Sequence, residues 1–129
     1  MKNRVKVFSL EEANALLPEL ESLLAEFEAK HDAFQRLEDQ LFFEEILDNT
    51  NPEEAQLKEL EERLMALEKE IEKIQILGCL LRHPERGWID FVARRDKEWI
   101  CYCWCRGEEG IQYYHSLRGG FFERQPLHA

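Results

Sequence analysis

Five titratable side chains in the last third of the chain have the types and spacing to do chemistry together: Asp90, Arg106, Glu108, His115 and Arg124. Asp90 stands inside the apolar run Trp88-Ile89-Asp90-Phe91-Val92, where a carboxylate must find an Arg, a His or backbone donors to be tolerated. Three arrangements suit the set. Arg106 and Arg124 can hold an anionic ligand, because a guanidinium pairs with carboxylate or phosphate through two donors at once, while His115 moves a proton with Glu108 or Asp90. Trp104 and Tyr114 would line such a pocket. His115, Asp90 and Glu108 can instead hold a metal ion. The third arrangement is an internal salt-bridge network that ties the Gly-rich tail to a sheet.

Cysteine usage adds little to these options. Cys79, Cys101, Cys103 and Cys105 contain no C-x-x-C pair. On a strand the last three share one face, with i and i+2 Cα atoms about 6.7 Å apart, too far for neighbouring thiolates to share one tetrahedral zinc unless the strand kinks. They read as buried, small, apolar residues in a reducing compartment, without a disulfide framework. There is no phosphate-binding glycine loop, no H-E-x-x-H and no G-x-S-x-G, and Gly119-Gly120 alone is too weak a signal to count. No cofactor is expected, and whether the chain is an enzyme stays open.

The elements that must position these residues follow from length, charge and periodicity. A chain of 129 residues is one domain by prior, with a hairpin over 9–77 and a small sheet with a Gly-rich tail over 78–129. The first seven residues carry no apolar stretch behind their charges, and no apolar run approaches spanning length, so a soluble, cytoplasmic protein is expected. Residues 9–77 hold 20 acidic and 6 basic residues. That surface repels nucleic acid and anionic membrane, so neither is expected as a partner. Beyond Gly78, seven of the eight basic residues are Arg. Trp88, Trp99, Tyr102, Trp104, Tyr113 and Tyr114 have the faces to stack bases, but on a small sheet such a cluster is more often core.

Val5 to Phe8 alternates as a short edge strand or an extended lead-in. Ser9 with Glu12 makes a capping box that starts a helix at Leu10, and Pro18 should kink or break that helix. The longer segment keeps a 3-4 spacing through Leu16, Leu20, Leu23, Phe27, Phe34, Leu37 and Leu41. Lys30 fills the one seam position that ought to be apolar, either snorkelling to water or fixing register against a Glu. His31 should face solvent. Asn51 caps the second helix, with Pro52 first in it and Glu54 completing the cap. The helix then carries Leu57, Leu60, Leu64, Leu67, Ile71 and Ile74 up to Gly78. Two matched seams and a short turn predict an antiparallel, coiled-coil-like hairpin.

Folding that hairpin near residue 50 leaves residues 10–22 without a helical partner, so they should lie on a sheet. Phe42, Phe43, Ile46 and Leu47 leave the heptad at the other end, more than two helices can bury, and predict a homodimer through the hairpin. After a stretch over 79–83 that reads as extended chain or a strand come strands at 88–94, 98–106 and 111–115, a three-stranded antiparallel meander. Of its middle strand, the side with Cys101, Cys103 and Cys105 is expected against the helices.

Phe8-Ser9-Leu10-Glu11-Glu12-Ala13-Asn14-Ala15-Leu16-Leu17-Pro18, Gly87-Trp88-Ile89-Asp90-Phe91, Cys103-Trp104-Cys105-Arg106-Gly107-Glu108, Tyr114-His115 and the closing Gly120-Phe121-Phe122-Glu123-Arg124-Gln125-Pro126-Leu127 resemble, in order, the prokaryotic family catalogued as domain of unknown function 2203. No activity comes with that resemblance. It implies that the family's recurring positions correspond here to Asp90, Trp104, Gly107, Glu108, His115, Gly120 and Arg124. Val92 stands where a Pro often follows Asp-Phe, and Tyr114 where a Trp often precedes His; neither change removes a titratable group.

The expectation is therefore an α+β homodimer, an interaction or scaffold protein with a polar site on its sheet and room for a protein partner. The alternative is a small enzyme or binding protein for an anionic metabolite, metal-assisted if His115, Asp90 and Glu108 converge.

Overall fold

The computed structural model describes residues 4–128, so the first three residues of the N-terminal reading lie outside it. Ser9 opens helix α1 (Leu10–Leu47) with the expected capping box, its hydroxyl accepting from Glu12 N at 3.1 Å and the Glu12 carboxylate from Ser9 N at 2.9 Å. The Ser9 backbone N–H and then its hydroxyl hold the Glu12 carboxyl below its usual range. The break expected at Pro18 does not occur, and α1 runs through it as one helix. Proline removes one backbone bond there. Buried Ala13, Leu17 and Leu20 pin the turns on either side, each leucine at about 1.5–3 kcal/mol, while Pro18 itself is exposed.

Helix α2 (Glu54–Gln75) begins two residues later than expected: Glu53 is the cap residue, and the Gln56 side chain accepts its N–H at 2.9 Å. A long amide at the third helical position reaches back to the cap, so the start is set by Gln56 and not by Asn51 and Pro52. Lys30 pairs with Glu70, and Arg63 Nη1 donates to Ala33 O at 2.7 Å, the register of a hairpin folded near residue 50. Lys73 Nζ adds a second contact to Glu70 at 3.0 Å. Burial alone would raise the Glu70 carboxyl, but hydrogen bonds from Lys30 and Lys73 outweigh it and hold the group below its usual range. His31 is only partly solvent-facing: it is half-buried and stacked on Phe27, ring centroids 5.6 Å apart.

The sheet has five strands where three were expected: β1 (Leu80–His83), β2 (Trp88–Arg95), β3 (Glu98–Cys105), β4 (Tyr113–Ser116) and β5 (Gln125–Pro126), hydrogen-bonded in that order and antiparallel throughout. The additions are the two edges. β1 is the extended stretch after α2, and β5 is the tail, whose Pro126 lacks an N–H and is tolerated at an edge. Between β2 and β3 only Asp96 and Lys97 turn the chain, at φ +55° and +102°, both positive as a two-residue hairpin requires. Val5 to Phe8 is a lead-in and not a strand, tied by Lys6 N to Gly78 O at 2.9 Å and Phe8 N to Val92 O at 2.8 Å. Gly87 (φ +67°) brings the β1–β2 turn so close to β3 that an added Cβ would lie 2.5 Å from Arg106 Cβ.

The core joins Phe8, Ala13, Leu17, Leu20 and Leu24 to Ile74 and to Ile89, Phe91 and Trp104 of the sheet, so the N-terminal overhang of α1 lies on the sheet as its wide stripe predicted. The face assignment of β3 is reversed, however. Trp104, with Tyr102 beside it, meets the helices, while Cys101 and Cys103 lie on the far face. Aromatic side chains bury far more apolar area than thiols, and only one face of a sheet can meet α1. No helix among the described residues is long and apolar enough to cross a membrane.

Candidate functional site

The far face of the sheet carries the polar group that the sequence pointed to. The two-residue turn pairs Arg95 with Glu98, and counting back along both strands sets Asp90 beside Cys103; on the other flank of β3, Cys101 pairs with His115. Strand alternation then puts Asp90, Cys101, Cys103 and His115 on one side. All four are fully buried.

Asp90 has three polar partners of different origin. Trp88 Nε1 donates to Oδ1 at 3.0 Å, Arg82 Nε donates to Oδ2 at 3.0 Å, and His115 Nε2 lies 2.9 Å from the same Oδ2. His115 Nδ1 is 2.7 Å from Ser116 O. A carbonyl can only accept, so Nδ1 carries a proton, and the Nε2–Oδ2 contact needs a second one, held on Nε2 or on the carboxyl. These partners satisfy a carboxyl group whose burial would otherwise be costly. Arg82 is 38% exposed and Asp90 only 1% along their side chains, so the guanidinium forms the solvent side of the group.

The thiols on this face are kept protonated. Burial, then the Asp90 charge, pushes Cys101 up to about 11. The same two causes push Cys103 up further, with Arg124 opposing them in part. Sγ of Cys103, a carboxylate oxygen of Asp90 and a ring nitrogen of His115 all lie within 4.8 Å of one another. Cys103 is the member that sequence reasoning missed: the expected three-residue turn over 95–97 pairs Arg94 with Glu98 and so sets Asp90 opposite Tyr102, whereas the observed two-residue turn sets it opposite Cys103. Arg82 and Trp88 were missed as partners too, because nothing local marks which Arg or indole closes over a buried carboxylate.

Glu108 and Arg124 form a second group at the edge of the first. Arg124 Nη2 donates to both Glu108 oxygens, at 2.8 and 2.6 Å, and Cys105 N donates to Glu108 Oε1 at 2.7 Å. The guanidinium lies 4.0 Å from the Tyr113 ring centroid and 4.6 Å from that of Phe121. Tyr113 is the strand partner of Cys103, so the two groups adjoin. This is the geometry that ties the Gly-rich tail to the sheet, with a 3₁₀ turn (Phe121–Glu123) leading into β5.

The other expected members sit elsewhere. Arg106 turns to α1, pairing with Glu28 and lying 3.5 Å from Glu21, and among the described residues no ion pair joins it to Asp90 or Glu108. Trp104 is wholly buried in the helix–sheet core, its Nε1 donating to Glu108 O at 3.0 Å. Tyr114 Oη donates to the Gln125 side chain at 3.1 Å and its ring lies under Arg95 at 4.3 Å. Of the five titratable residues, the fold therefore joins Asp90 to His115 and Glu108 to Arg124, and leaves Arg106 apart.

A family model described as "Uncharacterized conserved protein (DUF2203)" matches residues 6–127. No curated protein and no solved structure matches the chain.

Proposed function

From the premise that the chain belongs to the DUF2203 family of uncharacterized conserved proteins, we propose that it is an interaction protein, a cytoplasmic homodimer whose distal hairpins pack as a coiled-coil-like four-helix bundle and carry the two sheets as a scaffold. The observation that supports it is the apolar surface at the distal end of the hairpin. Phe42, Phe43, Ile46 and Leu47 of α1 are 55, 56, 59 and 73% exposed, and Leu57 and Leu64 of α2 are 51 and 44% exposed. Leu57 and Leu64 belong to the same heptad seam as buried Leu67 and Ile74, so only part of that seam is used within one chain. A second copy of the same hairpin completes it, since two helical pairs bury both seam positions of every helix.

Charge favours a self-complementary apolar contact over a polyanionic partner. With 20 acidic against 6 basic residues in 9–77, two hairpins repel at low ionic strength, and screening strengthens their association. All four cysteines are free, which suits a reducing cytoplasm. An anion pocket has less in its favour, because a ligand at Arg106 or Arg124 must displace Glu21, Glu28 or Glu108.

The test is the mass of the full chain in solution at micromolar concentration, by sedimentation or light scattering, across a salt series. A dimer that tightens with salt and becomes a monomer in Phe43→Glu/Leu57→Glu is expected. A wild-type monomer at every salt concentration would remove the proposal, and a dimer indifferent to both substitutions would move it to another surface.

A further inference from the structure

We infer that Asp90, Cys103 and His115 bind one thiophilic divalent cation of the zinc class on the face of the sheet that points away from the helices. This is independent of the hairpin and stands whether or not the chain dimerises.

The donor set is the first ground. One carboxylate oxygen, one thiol sulfur and one imidazole nitrogen lie within 4.8 Å of one another, all buried, on three neighbouring strands. In a tetrahedral site with bonds of about 2.0–2.3 Å, donors stand roughly 3.3–3.8 Å apart, so small side-chain rotations suffice. The spacing objection to cysteines along one strand does not apply, because only one thiol is used and its co-ligands come from β2 and β4.

The groups behind the donors are the second ground. Nδ1 of His115 is committed to Ser116 O at 2.7 Å, which leaves Nε2 facing the cluster. Oδ1 of Asp90 is committed to the Trp88 indole at 3.0 Å, which leaves Oδ2 facing it as well. Carbonyl-backed histidine and hydrogen-bonded carboxylate are the outer contacts that orient metal ligands and fix their ring or rotamer.

Charge is the third. A thiolate and a carboxylate supply two negative charges against a divalent ion, with neutral imidazole as third donor. The cation that meets Asp90 in the structure is Arg82, 3.0 Å from Oδ2 and 38% exposed. Its guanidinium stands where the ion would be compensated, and it is the member of the group with solvent to move into. Arg82 thus competes with the metal and covers its access path. Three protein donors leave a fourth tetrahedral position for water or another small ligand.

Cobalt(II) is the probe: it takes zinc sites and reports a thiolate ligand by a charge-transfer band in the near ultraviolet. Full-length protein, stripped with a chelator and titrated with cobalt(II), should bind one equivalent with that band. Cys103→Ser should abolish the band, while Cys105→Ala, on the same face, should keep it. Trp88→Phe should weaken binding about tenfold, the usual effect of an outer partner. Arg82→Ala should tighten binding, an outcome that a purely structural hydrogen-bond network does not produce, and because Arg82 is half-exposed this variant keeps the test valid if a variant of a buried residue fails to fold. No uptake by wild type and Arg82→Ala alike would overturn the inference, as would a band that survives Cys103→Ser.

Discussion

The hairpin and the sheet each bury one carboxylate completely, and they treat it in opposite ways. Glu70 is met by two lysines whose own side chains are 46 and 50% exposed, so the compensating charges remain in water and only the acceptor is inside. Asp90 is met by a guanidinium, an indole and an imidazole, and of these His115 is as dry as Asp90 itself. The first is a register lock between two helices, made by flexible side chains that can let go. The second is a rigid constellation, its donors fixed by strands. Only the second holds several chemically different groups at fixed positions, which is why the sheet and not the longer hairpin carries the candidate site.

Removing each carboxylate should expose the contrast most strongly. Asp90→Ala leaves Arg82, the Trp88 indole and His115 without their acceptor in a dry site, and should cost about 3–5 kcal/mol in urea denaturation. Glu70→Ala leaves two lysines already half in water and should cost only about 1–2 kcal/mol. Equal losses would break the comparison.

Titration should separate the regions at the two ends of the pH scale. Cys79 and Cys101 are raised from 9.0 to about 11. The stability this contributes is complete below the unfolded value near 9 and is lost as pH rises through about 11. The folded state should therefore weaken over that window, less so in Cys101→Ala. Glu70 is depressed below 4.5, so its contribution is present above that value and lost as pH falls through the lower folded one. Acid should release the hairpin lock, and Glu70→Gln should flatten the acid limb of stability against pH while leaving the alkaline limb unchanged.

The smallest effect concerns a turn shared by neither carboxylate. Lys97 holds φ +102° in the β2–β3 hairpin, a conformation that favours glycine. Lys97→Gly should stabilise the sheet by about 0.5 kcal/mol, the relieved backbone strain being partly offset by entropy of the unfolded chain. A loss instead would mean that the turn is held by the Lys97 side chain.

What could be read along the chain was whatever repeats or closes locally. The capping box at Ser9, the seam that pairs Lys30 with Glu70, the glycine end of α2 and the three inner strands each depend on residues a few positions apart, or on a period that two helices share. The same local logic misplaced two helix boundaries. It expected a break at Pro18, where burial of Ala13, Leu17 and Leu20 overrides one lost hydrogen bond, and a cap at Asn51, which Gln56 moved to Glu53. It also counted three strands, because β1 and β5 exist only as edges laid against partners.

By itself, then, the sequence determined a helical hairpin with its register, an antiparallel meander after it, and the last third as the place where polar chemistry collects. Only the tertiary structure decided which face of β3 meets the helices, that Asp90 joins His115 and Cys103, and that Arg106 leaves for α1 while Arg124 takes Glu108. The reason is physical. A strand repeats every two residues, so one face is as legible as the other until a helix covers one of them, and the partner of a buried charge is chosen by proximity across strands, which no local spacing records.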